Sequence, residues 1–426
     1  MNFEFSLDPN LPSLMDEQDP LATLREEFYI PCHENKQELV YFCGNSLGLQ
    51  PRRTAEYTQE VLSQWQSLAV KGHFEGPYPW MPYHEFLTEA LAQLVGALPE
   101  EVVAMNSLTA NLHLMMATFF RPNQKRNKIV IEQHAFPSDY YAVESQLIHH
   151  QLDPKIHLIT LAHREDLLFY TEDWLDLIHQ QGESIALLII PGVHYYSGQF
   201  LDLKTITEAA HAKGCLVGVD LAHAVGNTVL SLHQWEVDFA VWCHYKYVNS
   251  GPGAVGGCFV HQRHAKNTSL PRLSGWWGHD KESRFQMNAQ FQAIASADGW
   301  QLSNPPIVSL AAIRASLDVF SKAGGMLPLR KKSKQLTGYF EYLISQQLSE
   351  QIKLITPSDP EQRGCQLSMV INSPKTSGKA LYQHLNDQGV SVDWREPNVI
   401  RATPVPLYNR YQEVYQLVEI LKEQLL

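Results

Sequence analysis

Val217-Gly-Val-Asp220-Leu-Ala-His223, followed by Phe239-Ala-Val-Trp-Cys-His-Tyr245-Lys246-Tyr247, is the stretch from which the fold can be read. The first apolar run delivers an acid at its end, and the second delivers a lysine between two tyrosines. A pyridoxal phosphate (PLP) site needs this pair. A lysine forms the Schiff base, and a carboxylate must face the pyridinium nitrogen so that the ring accepts electrons.

The flanking pattern predicts an α/β fold. Lys128–Glu132, 156–160, 186–190, 215–219, Phe239–Cys243 and 257–260 read as strands; 140–152 and 205–213 read as helices between them. Short β-rich runs separated by helices imply a mainly parallel sheet sandwiched by helices. Ligands in such sheets sit beyond the carboxyl ends of the strands. Asp220, Lys246, Phe136 and Tyr195 all follow apolar runs on that side.

Three sections are expected: an N-terminal arm over 1–40, punctuated by Pro9, Pro12, Pro20 and Pro31 and packing on the small domain; a large cofactor domain over 41–307; and a smaller α+β domain over 308–426. Pro51 is expected to start an amphipathic helix carrying Val61, Leu62, Trp65 and Leu68.

Each candidate residue has a plainer reading beside the chemical one. Lys246 is either a partly buried amine, with its pKa lowered toward the neutral nucleophile, or a surface lysine at a strand end. Asp220 either pairs with the pyridine nitrogen or caps a helix. His223 either orients Asp220 and touches cofactor or is a satisfied core histidine. Asn106–Asn111 precedes an apolar helix, so its N–H groups and hydroxyls suit a phosphate. Phe136 either stacks on the ring or packs in the core. Arg401 either captures an α-carboxylate with its planar fork or makes an intramolecular salt bridge.

Composition narrows the class. The 426 residues carry a net charge of −12, which argues against a nucleic-acid partner. The densest basic run, Arg330-Lys-Lys-Ser-Lys334, reads as a solvated helix face. Six cysteines form no CxxC pair and no metal-ligand spacing, so no metal is expected and a reducing compartment is. No signal peptide is evident at Met1–Asn10, and the longest apolar segment, 185–193, is too short to span a bilayer. The expected location is cytoplasmic.

The ordered motifs resemble kynureninase, of the fold type I (aspartate aminotransferase-like) PLP enzymes. They run from Tyr41-Phe-Cys-Gly-Asn-Ser-Leu-Gly48 through Met105-Asn-Ser-Leu-Thr109, Phe136-Pro-Ser-Asp139, Gly275-Trp-Trp-Gly-His279 and Ser303-Asn-Pro-Pro-Ile307 to Pro404-Val-Pro-Leu-Tyr-Asn409. The resemblance implies that Lys246 holds PLP, that Asp220 binds its ring nitrogen with His223 nearby, and that Leu108 and Thr109 bind its phosphate. It implies that Phe136, Pro137, Ser138 and Asp139 line the ring, and that Tyr245 contacts the phosphate and moves protons. It places Trp276 and Asn304 against cofactor or substrate across a homodimer interface, His73 near the substrate's aromatic ring and Arg401 on its carboxylate. The implied reaction is hydrolysis of L-kynurenine or 3-hydroxy-L-kynurenine to anthranilate or 3-hydroxyanthranilate plus L-alanine, within tryptophan catabolism and NAD biosynthesis.

One departure stands out. Pro191 occupies a position where some family members carry a serine or threonine near the phosphate. Proline offers neither hydroxyl nor N–H, so Pro191 is left out of the site and Tyr196 or Ser197 stands as a substitute. The rival reading is a cysteine desulfurase or related β-lyase, which needs a nucleophilic cysteine in a mobile loop. Cys365 is the only cysteine of the second domain, and it leads straight into an apolar strand. A PLP-binding protein without turnover is the remaining alternative.

Overall fold

The computed structural model describes residues 3–34 and 37–426; residues 1, 2, 35 and 36 of the expected arm lie outside them. The strands are β1 (Val40–Tyr41), β2 (Val102–Ala104), β3 (Lys128–Glu132), β4 (Leu158–Leu161), β5 (Ile185–Pro191), β6 (Leu216–Asp220), β7 (Phe239–Cys243), β8 (Gly256–Val260), β9 (Ile352–Leu354), β10 (Leu367–Ile371), β11 (Val390–Ser391), β12 (Asp393–Arg395) and β13 (Val399–Ala402). Seven form the central sheet in the order β2-β8-β7-β6-β5-β3-β4. Its β4-β3-β5-β6-β7 portion is parallel, while at one edge β8 runs antiparallel to β7 and β2 antiparallel to β8. The α/β, mainly parallel expectation is met.

Buried Val, Ile and Leu fill β3, β5, β6 and β7, as sheets covered on both faces require. Between β3 and β5 the chain steps out to β4 and returns, which makes the switch point where ligands bind in open α/β sheets. The carboxyl ends there are Glu132, Pro191 and Asp220.

A second, four-stranded antiparallel sheet has the order β12-β13-β10-β9. The helices Met326–Gln347 and Tyr411–Leu425 pack on it around Leu336, Phe340, Val414 and Leu421. Met15 of the N-terminal segment is buried in the same cluster, and Asp16 accepts the Tyr411 and Gln412 N–H groups at the last helix's start. That cap satisfies two otherwise orphaned donors.

Several local expectations shift. The helix expected from Pro51 begins at Thr54. It turns Tyr57 and Val61 into the core, whereas Leu62 and Trp65 are exposed, so only part of the expected apolar stripe faces this chain's core. The strand expected at 156 starts at Leu158, because Pro154 at the first helical position and the Asp153 cap wind Pro154–His157 into a helical turn. The 330–334 run is not a solvated face. Arg330 and Lys332 are buried, Lys332 pairing with Asp19 at 2.7 Å and Arg330 donating to the Arg363 carbonyl at 2.7 Å.

Asp238, just before β7, is a buried anchor between layers. It accepts from Val217 N at 2.7 Å, Arg263 Nη2 at 2.6 Å, His264 Nε2 at 2.7 Å and His211 Nε2 at 2.9 Å. Burial alone would raise its carboxyl, but the two histidine bonds and the Arg263 charge hold it well below the usual carboxylate range. A depressed folded pKa adds stability that is present above the unfolded value of about 3.9 and is lost as pH falls below it. Asp238→Asn is therefore expected to lower unfolding free energy at pH 7 by about 3–5 kcal/mol. Its loss of stability on acidification should be shallower than the parent's in urea titrations; equal stability at pH 7 would show that the network contributes nothing.

Candidate active site

Nine of the sequence-predicted residues line one cleft at the carboxyl end of the sheet: Leu108, Thr109, Phe136, Ser138, Asp139, Asp220, His223, Tyr245 and Lys246. Pro137 sits between them at the first position of the helix Pro137–His149. Parallel strands deliver these groups side by side, with Asp220 opposite Pro191 and Val241 in register.

Lys246 lies in the turn after β7, its Nζ 3.1 Å from His223 Nε2. The same Nζ is 5.8 Å from the ring centres of Phe136 and Tyr245. Burial, and then the Lys246 charge, push the His223 imidazole well below its ordinary pKa, so it is neutral and Nε2 accepts from the lysine. His223 thus contacts Lys246 rather than Asp220. Its Nδ1 is buried without a partner.

Asp220 Oδ1 accepts the Ala222 N–H at 2.6 Å, so a cap-like contact coexists with its place in the cleft. Asp139 lies beside Asp220; burial first, then the Asp220 charge, hold Asp139 well above the usual carboxylate range, so Asp139 is protonated. Asp139 Oδ1 also lacks a partner. Glu132, at the end of β3, is pushed up to about 8 by burial, with Asp220 adding to the shift.

The helix Leu108–Phe119 opens toward the cleft with Thr109 Oγ1 and Ser138 Oγ 2.6 Å apart. Its first-turn N–H groups have no intrahelical acceptors, which is what an anion requires. Gly256 lets this helix approach: a Cβ there would lie 3.0 Å from the Ser107 carbonyl carbon. The Phe136 ring is 42% exposed and meets Tyr195 edge-on at 5.4 Å, so it is a cleft wall and not core.

A second glycine braces the lysine turn. Gly48 N donates to the Tyr245 carbonyl at 2.8 Å, and a Cβ on Gly48 would fall 2.3 Å from the Lys246 carbonyl oxygen. Gly48→Ala must displace that turn. Because misplacing a reacting group by about 1 Å costs about 10²-fold, a comparable fall in turnover is expected with the fold retained by circular dichroism. Parent-like turnover would show that the turn tolerates the shift.

Four expected residues are not in the cleft wall. Arg401 is buried behind it, donating to the Tyr195 carbonyl and pairing with Asp393, so the salt-bridge reading of Arg401 is realised in this structure. His73, Trp276 and exposed Asn304 lie apart from the cleft. Trp276 is 41% exposed and meets Phe285 at 5.6 Å, and Phe285 meets Phe74, next to His73, at 6.3 Å.

Pro191 was left out of the site, yet it lines the cleft; what it lacks is a donor, not proximity. Neither proposed substitute lines that wall. Ser197 is buried with its hydroxyl 3.1 Å from His194 Nδ1, and Tyr196 faces a neighbouring cavity with His134, His163 and His194. Sequence reasoning missed Glu132, Val193 and Ala222. Glu132 carried the same signal as Asp220, an acid ending an apolar strand; Val193 and Ala222 carried none, being small apolar residues among many.

The cleft fits PLP: two orphaned buried polar atoms, an exposed aromatic wall, a helix N-terminus with hydroxyls, and a lysine beside an acid pair share one space. By contrast, Cys365 is fully buried, and burial pushes its thiol up to about 12. It cannot serve as a mobile nucleophile.

A family model described as the kynureninase C-terminal domain matches residues 329–421. The kynureninase of Xanthomonas campestris pv. campestris (strain B100) is 54% identical over 406 residues, 95% of each chain. That of Koribacter versatilis (strain Ellin345) is 49% identical over 416 residues, 97% of each. Among solved structures, the apo cysteine desulfurase of Thermococcus onnurineus NA1 superposes with a TM-score of 0.74 over 100% of this chain and 99% of its own, at 15% identity. A lysine-to-alanine mutant with glycine covalently linked to its PLP cofactor gives 0.74 at 16% identity, over 93% and 98%. At such identities the structures establish the PLP fold type I architecture alone.

Proposed function

The chain belongs to the kynureninase family, and from that premise we propose how its cleft performs the reaction. Its activity is PLP-dependent hydrolysis of the Cβ–Cγ bond of kynurenine, an amino acid with an aryl ketone side chain. Cysteine desulfurases share the fold and not the substrate. The observation that carries the residue assignment is the Lys246–His223 contact at 3.1 Å inside a cleft that also holds the Asp220–Asp139 pair.

Leu108 and Thr109 hold the cofactor phosphate through the helix N-terminus, with Ser138 fixing the Thr109 hydroxyl. Phe136 supplies the aromatic wall for the ring. Asp220 would pair with the ring nitrogen, with protonated Asp139 beside it. When bound, PLP supplies the electron sink for the negative charge that develops on substrate carbon. Lys246 holds the cofactor and takes the substrate's α-proton; neutral His223, accepting from Nζ, orients the amine. Tyr245 has its phenol pushed up by burial and then by Cys243, so it is a proton donor at neutral pH. We assign it the proton delivered to the γ-oxygen or to Cβ. The balance is simple: the hydroxyl of water stays on Cγ, giving the aromatic ketone's carbon as a carboxylate, and a proton ends on Cβ as the methyl group of alanine.

The substrate side is completed by a second copy. Phe74, Phe285 and Trp276 are exposed and in ring contact through Phe285, and an apolar patch of that kind supports a homodimer interface. His73, Trp276 and Asn304 then belong to the partner's cleft. The separate seven- and four-stranded sheets support a division near residue 307, and of the N-terminal arm Met15 packs on the smaller unit while Leu24 and Phe28 pack in the larger core. The cytoplasm is the proposed location: the six cysteines are unpaired, and no described helix is long and apolar enough to cross a membrane.

The test is direct. Purified protein with PLP and kynurenine is expected to release fluorescent anthranilate and equimolar alanine, and kcat/KM for kynurenine and 3-hydroxykynurenine ranks the two. Sulfide from cysteine without anthranilate would overturn the assignment. For Tyr245, Tyr245→Phe is expected to lower kcat by about 10²-fold or more with KM little changed. Undiminished cleavage by that variant would remove Tyr245 from proton transfer.

A further inference from the structure

Arg401 stands on β13, directly opposite Asp393 on β12, and Arg395 lies two residues along on the same face. The Arg401 side chain is 1% exposed. Its Nη2 meets Asp393 Oδ2 at 2.7 Å, and its Nη1 donates to the carbonyl of Tyr195, whose ring lines the cleft. Arg395 Nη2 reaches the same Asp393 oxygen at 3.3 Å. One carboxylate therefore holds two guanidinium groups, and the three side chains sum to a single positive charge.

The donor count is informative. A guanidinium has five N–H groups. Asp393 and Tyr195 each take one from Arg401, and its Nε–H is buried with no partner; the Arg395 Nε and Asp393 Oδ1 are likewise unpartnered. A buried cation with unmet donors is unfavourable unless paired. The unmet Nε–H groups of both guanidiniums thus lie in a buried cluster tied through Arg401 to Tyr195, a residue of the cleft.

We propose that Asp393 is a positioning residue for substrate recognition: it clamps Arg401 from one side so that the unmet edge of the fork is presented to the substrate's α-carboxylate. It also cancels one of the two arginine charges, so that one carboxylate completes the cluster. The proposal rests on Arg401 being the carboxylate ligand, and its test separates the two.

In the holoenzyme, Asp393→Asn is expected to raise the kynurenine KM by about 10- to 100-fold with kcat within about threefold, the signature of lost binding that ground and transition states share. With kynurenine α-carboxamide, which has no carboxylate to orient, parent and Asp393→Asn should show equal kcat/KM. Asp393→Glu, which keeps the charge, should recover most of the kynurenine KM and serves as the folded control if Asp393→Asn is unstable. Arg401→Gln is the separating arm. If it leaves the KM unchanged, Arg401 is not the ligand and the proposal falls with it. If Arg401→Gln raises the KM while Asp393→Asn leaves it unchanged or lowers it, Arg401 stands and Asp393 competes with substrate instead of orienting its partner.

Discussion

Lys246→Ala is expected to abolish kynurenine hydrolysis, with turnover reduced by about 10⁴-fold or more, the upper range for loss of a positioned proton-transfer group. The residue is asked to do two jobs, holding the cofactor and moving the α-proton, and nothing else in the cleft offers a primary amine. His223, 3.1 Å away, is the nearest base, but it is neutral, buried and placed to accept from Nζ. The phosphate cradle at Leu108, Thr109 and Ser138 is untouched, so the variant should still bind PLP without a covalent bond. Two readouts separate these roles. After borohydride reduction the parent should gain the cofactor's mass on the peptide containing Lys246, and the variant should gain none. Added methylamine should restore part of the turnover, since a small amine can enter the space left by the side chain. Turnover within tenfold of the parent would move the catalytic amine elsewhere.

The cofactor half of the site was legible because its chemistry is written on strand ends. Asp220 closes an apolar run with an acid, and Lys246 follows another; Glu132 carries the same signal as Asp220 but is not among the expected site residues. Parallel pairing puts such ends on one edge, so short-range pattern predicts three-dimensional proximity. The pattern misled where tertiary packing overrode it. Val61, Leu62, Trp65 and Leu68 share one amphipathic helix, yet Leu62 and Trp65 face outward, because periodicity marks an apolar stripe without saying how much of it the core covers. Lys332 and Arg330 were read as solvated, since no local rule anticipates that Asp19 and the Arg363 carbonyl would meet them from distant segments. Arg401 shows the same limit. Its capture by Asp393 depends on cross-strand register between β12 and β13, and spacing along the chain does not encode which rotamer wins.

Equal amounts of two inactive chains, Lys246→Ala and His73→Ala/Asn304→Ala, are expected to regain about one quarter of parent activity after mixing under conditions that exchange subunits. The figure follows from the proposed geometry. In a twofold dimer each cleft takes Lys246 from one chain and His73 with Asn304 from the other. Random reassortment makes half the dimers hybrid, and each hybrid contains one cleft with both defects and one with neither. If instead His73 and Asn304 served the cleft of their own chain, every cleft in a hybrid would carry a defect and activity would stay at the level of the separate variants. The single-chain structure makes the first outcome the expected one. Asn304 and Trp276 are exposed, His73 sits beside exposed Phe74, and none of the three lines the wall that Lys246 shares with Asp220. The aromatic continuity from Trp276 through Phe285 to Phe74 would be costly to leave in water, at about 25 cal/mol per Å² of apolar surface, and a partner's cleft rim is the surface that would cover it.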